Sequence, residues 1–596
     1  MLRKVLVIIL TYILILIRNS HQKQQCNHDI DKQIQTYHYQ YKQYFIRNLI
    51  KIRKLQQKNP LPPQQIRITT DLSLLDPLQQ TNPEINIHIK SLIETSIQYF
   101  QNLIKVTPSL SNNIFPNNWP LNCLNITVPQ LDYTIGIPNS DLHIYITYID
   151  SNLSNSAQVL ASATFCSIDP IYRRPNFGVI QYNIAIMKQQ SMTNKIFKDR
   201  LEVTIHEILH ILGFSQYGMG YWVDPQTNNF YLNSSIITKN ITLNNITNPV
   251  LISSNVLQTA QKYYNCSQIQ GMKLENQGSR GTYGSHWERS VLFNEVMVAE
   301  TLPTQSFISI FTSALLRDTG FYQEINDNFV YDKMRWGNQK GCDFFNNTCR
   351  SSVQIFPEFI NDNRTRGCTF ENDGYGVRQI TFTMDGCTSI GSPTNSICFL
   401  EENNSNTSTN SRFETFGPQS RCLQSNLRTL NFNFTDISRC HQIQCANDAS
   451  YIKIRINQIN KEVVCNQENE VIVLDNVLDN IRGNITCPSN FEQFCNYYPI
   501  CKNYCSSRGI CVNGFCICNR GYANDDCSIK CPLFSENGIY QCVQECPIET
   551  FADLNTRVCG WCQVGCLKCQ SESFCIECDF QFGYRLVQNK CEFLNF

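Results

Sequence analysis

The placement of cysteine sets the strongest limit on how this chain can fold. Eighteen of its thirty-one cysteines lie after residue 486. A segment that dense in cysteine cannot build an ordinary apolar core, so it must be cross-linked to hold a shape. Such cross-linking needs an oxidising compartment, which argues for the secretory route and against a cytosolic protein. The preceding 486 residues are long enough for conventional cores, and the whole chain of 596 residues has room for three to five units at about 100–200 residues each.

The first residues agree with export. Arg3 and Lys4 precede an apolar run from Val5 to Ile17, closed by Arg18, Asn19 and Ser20. Thirteen apolar residues are short for a membrane span, which needs about 20, and fit a signal peptide cleaved near residues 19–22. An uncleaved signal anchor is the competing reading. Sequons at Asn125, Asn240, Asn245, Asn363 and Asn484 are compatible with glycosylation. No second apolar stretch of spanning length follows, and the end of the chain has no hydrophobic anchor tail. The expected location is therefore extracellular or at the cell surface. Formal net charge is zero and no basic run occurs, so nucleic acid is not an expected partner.

Residues 21–62 are Gln-rich and end in Asn59-Pro60-Leu61-Pro62, with Pro63 next, as a pro-segment and linker would. The pattern then changes. Ile66 and Ile68 alternate with Arg67 and Thr69, as in a strand. Residues 89–106 read as an amphipathic helix with Ile89, Leu92, Ile93, Ile97 and Phe100 on one face. Asp141–Thr147 and Phe177–Asn183 read as further strands, and a helix is expected from about Asp199 to Leu212.

That helix carries His206-Glu207-Ile208-Leu209-His210. Residues four apart share a helix face, so His206 and His210 can hold one zinc ion from a single rigid element. Glu207 stands one step round, within reach of the water that such an ion activates. In that role it takes the water's proton and later gives it to the leaving amine. Two histidines falling on a surface helix by chance is the bland alternative. Gly213 follows where a helix must turn in the left-handed region.

A four-coordinate catalytic zinc needs a third protein ligand. In the compact form of this motif it would stand at 216, where this chain has Gln216. The best donor elsewhere is His286, in Gly284-Ser285-His286-Trp287-Glu288, with Asn294-Glu295-Val296-Met297 soon after. Glu288 and Glu295 are rival donors.

Taken together, His206, Glu207, His210, Gly213, His286 and Met297 resemble the leishmanolysin family of metzincin metallopeptidases. The Ser-His-Trp-Glu and Asn-Glu-Val-Met contexts belong to that resemblance. So do Arg174-Pro175 with Phe177–Ile180, and Asp318–Tyr322 and Gly341–Phe344. It covers roughly residues 60–490. The family implies an α+β fold: a mixed sheet with an active-site helix, then a mixed or β-rich subdomain. It implies one zinc ion on His206, His210 and His286, a Met-turn at Met297 packed under the histidines, and Glu207 as base. It also implies that extended substrate pairs with the edge strand in the segment before the active-site helix. Cys26-Asn27-His28-Asp29 resembles the family's pro-region motif, in which a thiolate on the metal keeps the precursor silent. Setting Cys26 apart leaves thirty cysteines that can pair completely.

In the tail, Cys505, Cys511, Cys516, Cys518 and Cys527 resemble an EGF-like module, and Cys559, Cys562, Cys566, Cys569, Cys575 and Cys578 resemble furin-like repeats. The expected organisation is a signal peptide (1–20), a pro-segment (21–62) and a first catalytic subdomain (63–213). A family insertion (214–285) and the remaining peptidase (286–486) follow, then an EGF-like module (487–530) and cysteine-rich repeats (531–596). The expected activity is hydrolysis of peptide bonds in protein or peptide substrates, with peripheral surface attachment through the tail and a role in adhesion or surface-protein degradation. The alternative is a catalytically idle adhesion protein on the same scaffold.

Overall fold

The computed structural model describes residues 62–593 apart from 152–158, 279–280, 301–303, 332, 348, 350–355, 361–364, 406–408, 433–436, 497–499, 536–540, 544 and 554–557. It divides into two compact units. The larger runs to Pro499 and is interrupted at Thr193–Lys198; the smaller comprises Thr193–Lys198 and Ile500–Phe596.

In the larger unit a four-stranded sheet is built from β1 (Ile68–Asp71), β2 (Leu142–Ile149), β3 (Ala161–Ile168) and β4 (Pro175–Asn183). Its order is β1-β2-β4-β3. β1, β2 and β4 are parallel, and β3 runs antiparallel along β4. The centres of β2 and β4 are buried on both faces, as their apolar runs require.

Helix α1 (Pro83–Leu103) starts six residues before the expected point, because Pro83 suits a first helical position and Ile85 extends the buried stripe. It stops at Leu103, and Ile104–Val106 pairs as a strand with Gln64–Gln65 and Glu324–Ile325. Helix α2 (Asn194–Ile211) is the expected motif-bearing helix and begins five residues before Asp199. It crosses β4 closely. A Cβ at Gly178 of β4 would stand 2.6 Å from the Ile211 side chain, so only glycine permits this approach. The hydroxyls of Tyr182 and Thr204 join the same two elements at 2.9 Å.

Helices α3 (Ser254–Tyr264) and α4 (Ile310–Asp318) follow. Asp318 at the end of α4 caps α3, accepting the backbone N–H groups of Asn255 and Val256 at 3.0 and 2.9 Å. Beyond them lies a six-stranded antiparallel sheet over residues 420–486. Its core is Leu423, Ile452, Ile454, Ile485 and Phe491 with their neighbours. The observed class is therefore mixed α and β, with a β-rich later part.

The smaller unit is built of two-stranded hairpins and one four-stranded sheet, and its buried clusters are mostly cysteine. Cys501–Cys511, Cys505–Cys516 and Cys518–Cys527 link first to third, second to fourth and fifth to sixth. Cys501 is the first of these six, a member that the spacing alone did not single out. The remaining bonds join 531 to 542, 546 to 559, 562 to 569, 566 to 575 and 578 to 591. Seven more disulfides brace the larger unit, so all thirty cysteines among the described residues are paired. Among the described residues no helix is long and apolar enough to cross a membrane.

Candidate metal centre

Helix α2 is buried on nearly every side after Val203, and its two histidines stand one turn apart with their rings 4.7 Å between centroids. The helix ends at Ile211, and Gly213, two residues on, has a φ of +124°. Phe214 N–H returns to the carbonyl of Leu209 at 3.0 Å, closing the last turn. A side chain at 213 would meet Phe321 at 3.0 Å and Thr319 at 3.2 Å. That turn has a consequence for the site. It swings the carbonyl of Phe214 back onto His210, whose Nδ1 donates to it at 2.7 Å.

Gln216, at the position of the compact motif's third ligand, is engaged with the segment before His286. Its backbone N–H donates to Ser285 Oγ at 3.1 Å and its side chain lies against Gly284. It thereby holds the remote loop that carries His286. That loop is a ladder. Glu275 N–H donates to His286 O at 2.9 Å, and Gly284 N–H donates to Glu275 O at 2.8 Å. Trp287 N–H donates to Met297 O at 2.9 Å.

The three rings converge. His206 Nε2 lies 3.0 Å from His210 Nε2 and 3.1 Å from His286 Nε2. All three are buried, and their ligand atoms lie within 4.8 Å of one another. The far side of each ring faces a backbone carbonyl: Val296 for His206 at 2.7 Å, Phe214 for His210 at 2.7 Å and Thr282 for His286 at 3.0 Å. A carbonyl can only accept, so each Nδ1 carries the proton and each Nε2 presents its lone pair. Three lone pairs so close together repel unless a cation lies among them. The donor set therefore fits a single zinc ion, with the outer hydrogen bonds that usually orient histidine ligands.

Glu207 is fully buried beside the pair. Burial, with a contribution from Glu207's charge, raises the Tyr182 phenol well above its usual range. Met297 is fully buried directly after Val296, which supplies the His206 acceptor. The rival donors are engaged elsewhere. Glu288 accepts from Ser290 N–H at 2.9 Å, and burial together with Asp385 pushes its pKa up to about 8. Glu295 accepts from Met297, Ser309 and Thr312. Neither glutamate joins the converging group.

One expectation needs correction. β4, the strand before the motif helix, is not an edge. It is flanked by β2 and β3, and the sheet's edges are β1 and β3. The run Ala161-Ser162-Ala163-Thr164 is too short in apolar bulk to announce a strand from periodicity, though Cys166 anchors it to Cys123. The carbonyls of Val296, Phe214 and Thr282 were also invisible in sequence, since backbone acceptors leave no residue-type signal. The expected signal peptide, the expected pro-segment through residue 61, Cys26 and the sequon at Asn363 lie outside the described residues. The sequon asparagines Asn125, Asn240 and Asn245 are exposed and Asn484 is half-buried.

Comparison with known proteins identifies the family. The family model for leishmanolysin matches residues 79–382 and 370–501, and that for the tenascin EGF domain matches 499–528. The chain is 28% identical over 241 residues to a leishmanolysin-like peptidase of Caenorhabditis elegans, covering 36% of this chain and 35% of that one. It is 25% identical over 403 residues to a leishmanolysin homolog of Crithidia fasciculata, covering 62% and 57%. It is 29% identical over 289 residues to leishmanolysin of Leishmania major, covering 46% and 42%. The matched region thus spans between about a third and three-fifths of these relatives' lengths.

Proposed function

The chain belongs to the leishmanolysin family, and from that premise we propose that it is a secreted or cell-surface zinc endopeptidase. The observation that carries the proposal is the convergence of the His206, His210 and His286 Nε2 atoms, each ring held by a carbonyl at its other nitrogen. When bound by these residues, zinc supplies Lewis acidity toward a water molecule and the scissile carbonyl.

The chain's own groups do the rest. Glu207 accepts the water's proton at a side-chain oxygen and delivers it to the nitrogen of the leaving amine. Its burial keeps bulk water from competing for that transfer. Among the described residues strand β3 pairs on one side only, so its other edge can add an extended peptide through backbone hydrogen bonds. Met297 packs as a buried support after the carbonyl that holds His206. The thirty cysteines among the described residues pair with one another, which supports a latent precursor in which the thiolate of Cys26 occupies the metal. The disulfide content and the EGF-like match support an extracellular place, with the tail as a module for surface attachment.

The test is casein cleavage by the processed chain, with and without 1,10-phenanthroline, beside Glu207→Gln. Activity lost to both treatments is the expected result. Activity that survives both would defeat the zinc mechanism, and zinc-loaded protein without any activity would favour an idle binding scaffold.

A further inference from the structure

Glu295 lies two residues before Met297 and is fully buried. Its carboxylate collects four donors: the backbone N–H groups of Met297 and of Ser309, the latter at 3.2 Å, and the hydroxyls of Ser309, at 2.9 Å, and Thr312. Burial raises its pKa to about 7, and these hydrogen bonds act in the opposite sense. Ser309 is also the N-cap of α4, accepting Phe311 N–H at 3.1 Å, so the carboxylate is tied to a helix start rather than to a loop.

Thr312 extends the chain of bonds. Its hydroxyl has one proton, which goes to Glu295, and it accepts the indole N–H of Trp287 at 3.0 Å. Trp287 directly follows His286. Val296, between Glu295 and Met297, offers the carbonyl that holds His206 Nδ1. One buried path, indole to hydroxyl to carboxylate, therefore joins the supports of two histidines from different stretches of chain.

Resting on the metal site proposed above, we propose that Glu295 and Thr312 are positioning residues that set the angle at which His206 and His286 meet the ion. They act through Val296 and Trp287. The requirement is specific. A group at 312 must both donate and accept, and a group at 295 must accept from all sides.

The test uses the full chain with three variants, Thr312→Val, Thr312→Ser and Trp287→Phe. Zinc affinity is read by competition with a chromophoric chelator, and ligand geometry by the visible absorption of the cobalt-substituted protein. Outer hydrogen-bond partners of metal ligands typically carry about 10- to 100-fold in affinity. Thr312→Val, of nearly the same shape, should lose affinity in that range and shift the cobalt bands, with kcat falling more than KM changes. Thr312→Ser should restore both readouts, and Trp287→Phe should shift the bands without the full affinity loss. Wild-type affinity and spectrum in Thr312→Val would overturn the inference. So would equal damage in Thr312→Ser, which would mark a packing role. Trp287→Phe supplies the same comparison if Thr312→Val does not fold, and unchanged cobalt bands in it would then overturn the inference. A wild-type chain that takes up no metal would remove the site itself. Metal-binding wild type with unaltered variants would remove only this inference.

Discussion

The Nδ1 of His206 donates to the carbonyl of Val296 at 2.7 Å, across ninety residues of chain. The first histidine of the helix motif is thus oriented by the segment that carries Met297. Trp287, the neighbour of His286, bonds the same segment through Met297 O. The histidine cluster is one structure with its support, and a change in either should be felt in the other.

The choice of third ligand is open to direct test. His286→Ala should lose bound zinc by more than the ten- to hundredfold that an outer-sphere change costs. Glu288→Gln should keep it, because that carboxylate is engaged with Ser290. Zinc content by mass spectrometry after dialysis reads the difference, and zinc lost only in the glutamine variant would reverse the assignment.

Glu207→Gln should retain the ion and lose turnover. A general base contributes about 10²–10⁴ in rate, so kcat should fall by at least a hundredfold with KM little changed. A variant that kept activity within tenfold would transfer the base role to another group.

Gly213→Ala should destabilise the larger unit by about 1–3 kcal/mol, since a left-handed position is being forced on a residue with a Cβ. The new methyl would also press on Phe321 and Thr319. Thermal unfolding measures the loss. Zinc affinity should fall with it, because the same turn aims Phe214 O at His210. An unchanged melting point would refute the strain.

A pH effect is expected from a histidine outside the site. His441, on the strand Ser438–Cys445, is fully buried and neither ring nitrogen has a hydrogen-bond partner. Burial first, then Arg439, pushes its pKa down to about 3. The unfolded imidazole titrates near about 6.5. The native state therefore binds the proton less well than the unfolded one. The stability from this group is present above the unfolded pKa and is lost as pH falls toward the native one. At pH 4 the loss amounts to about 3 kcal/mol. His441→Phe should flatten the decline in denaturant midpoint between neutral pH and pH 4. Parallel declines in the two proteins would exclude the mechanism.

Cys26→Ala in the precursor should give activity before any processing, read as casein cleavage by the uncut chain. An inert, unprocessed variant would count against a thiolate latch.

Some of this protein followed from local sequence alone. Ile205, Ile208, Leu209 and Leu212 bury one side of α2 wherever the helix forms, and His206 and His210 share a face because a helix turns every 3.6 residues. The cysteine density after residue 486 likewise required a disulfide-held unit, since so few apolar residues cannot form a core there. What periodicity could not supply was decided by contacts distant in sequence. Whether His286 reaches the pair depends on Gln216 gripping Ser285 and on Trp287 bonding Met297. Whether β3 or β4 forms the edge depends on which strands find partners, not on either strand's own residues. Helix formation is written in neighbours three and four apart, so sequence reveals it. Ring orientation in the histidine cluster is set by backbone carbonyls, which every residue possesses, so only the folded chain could show which of them are used.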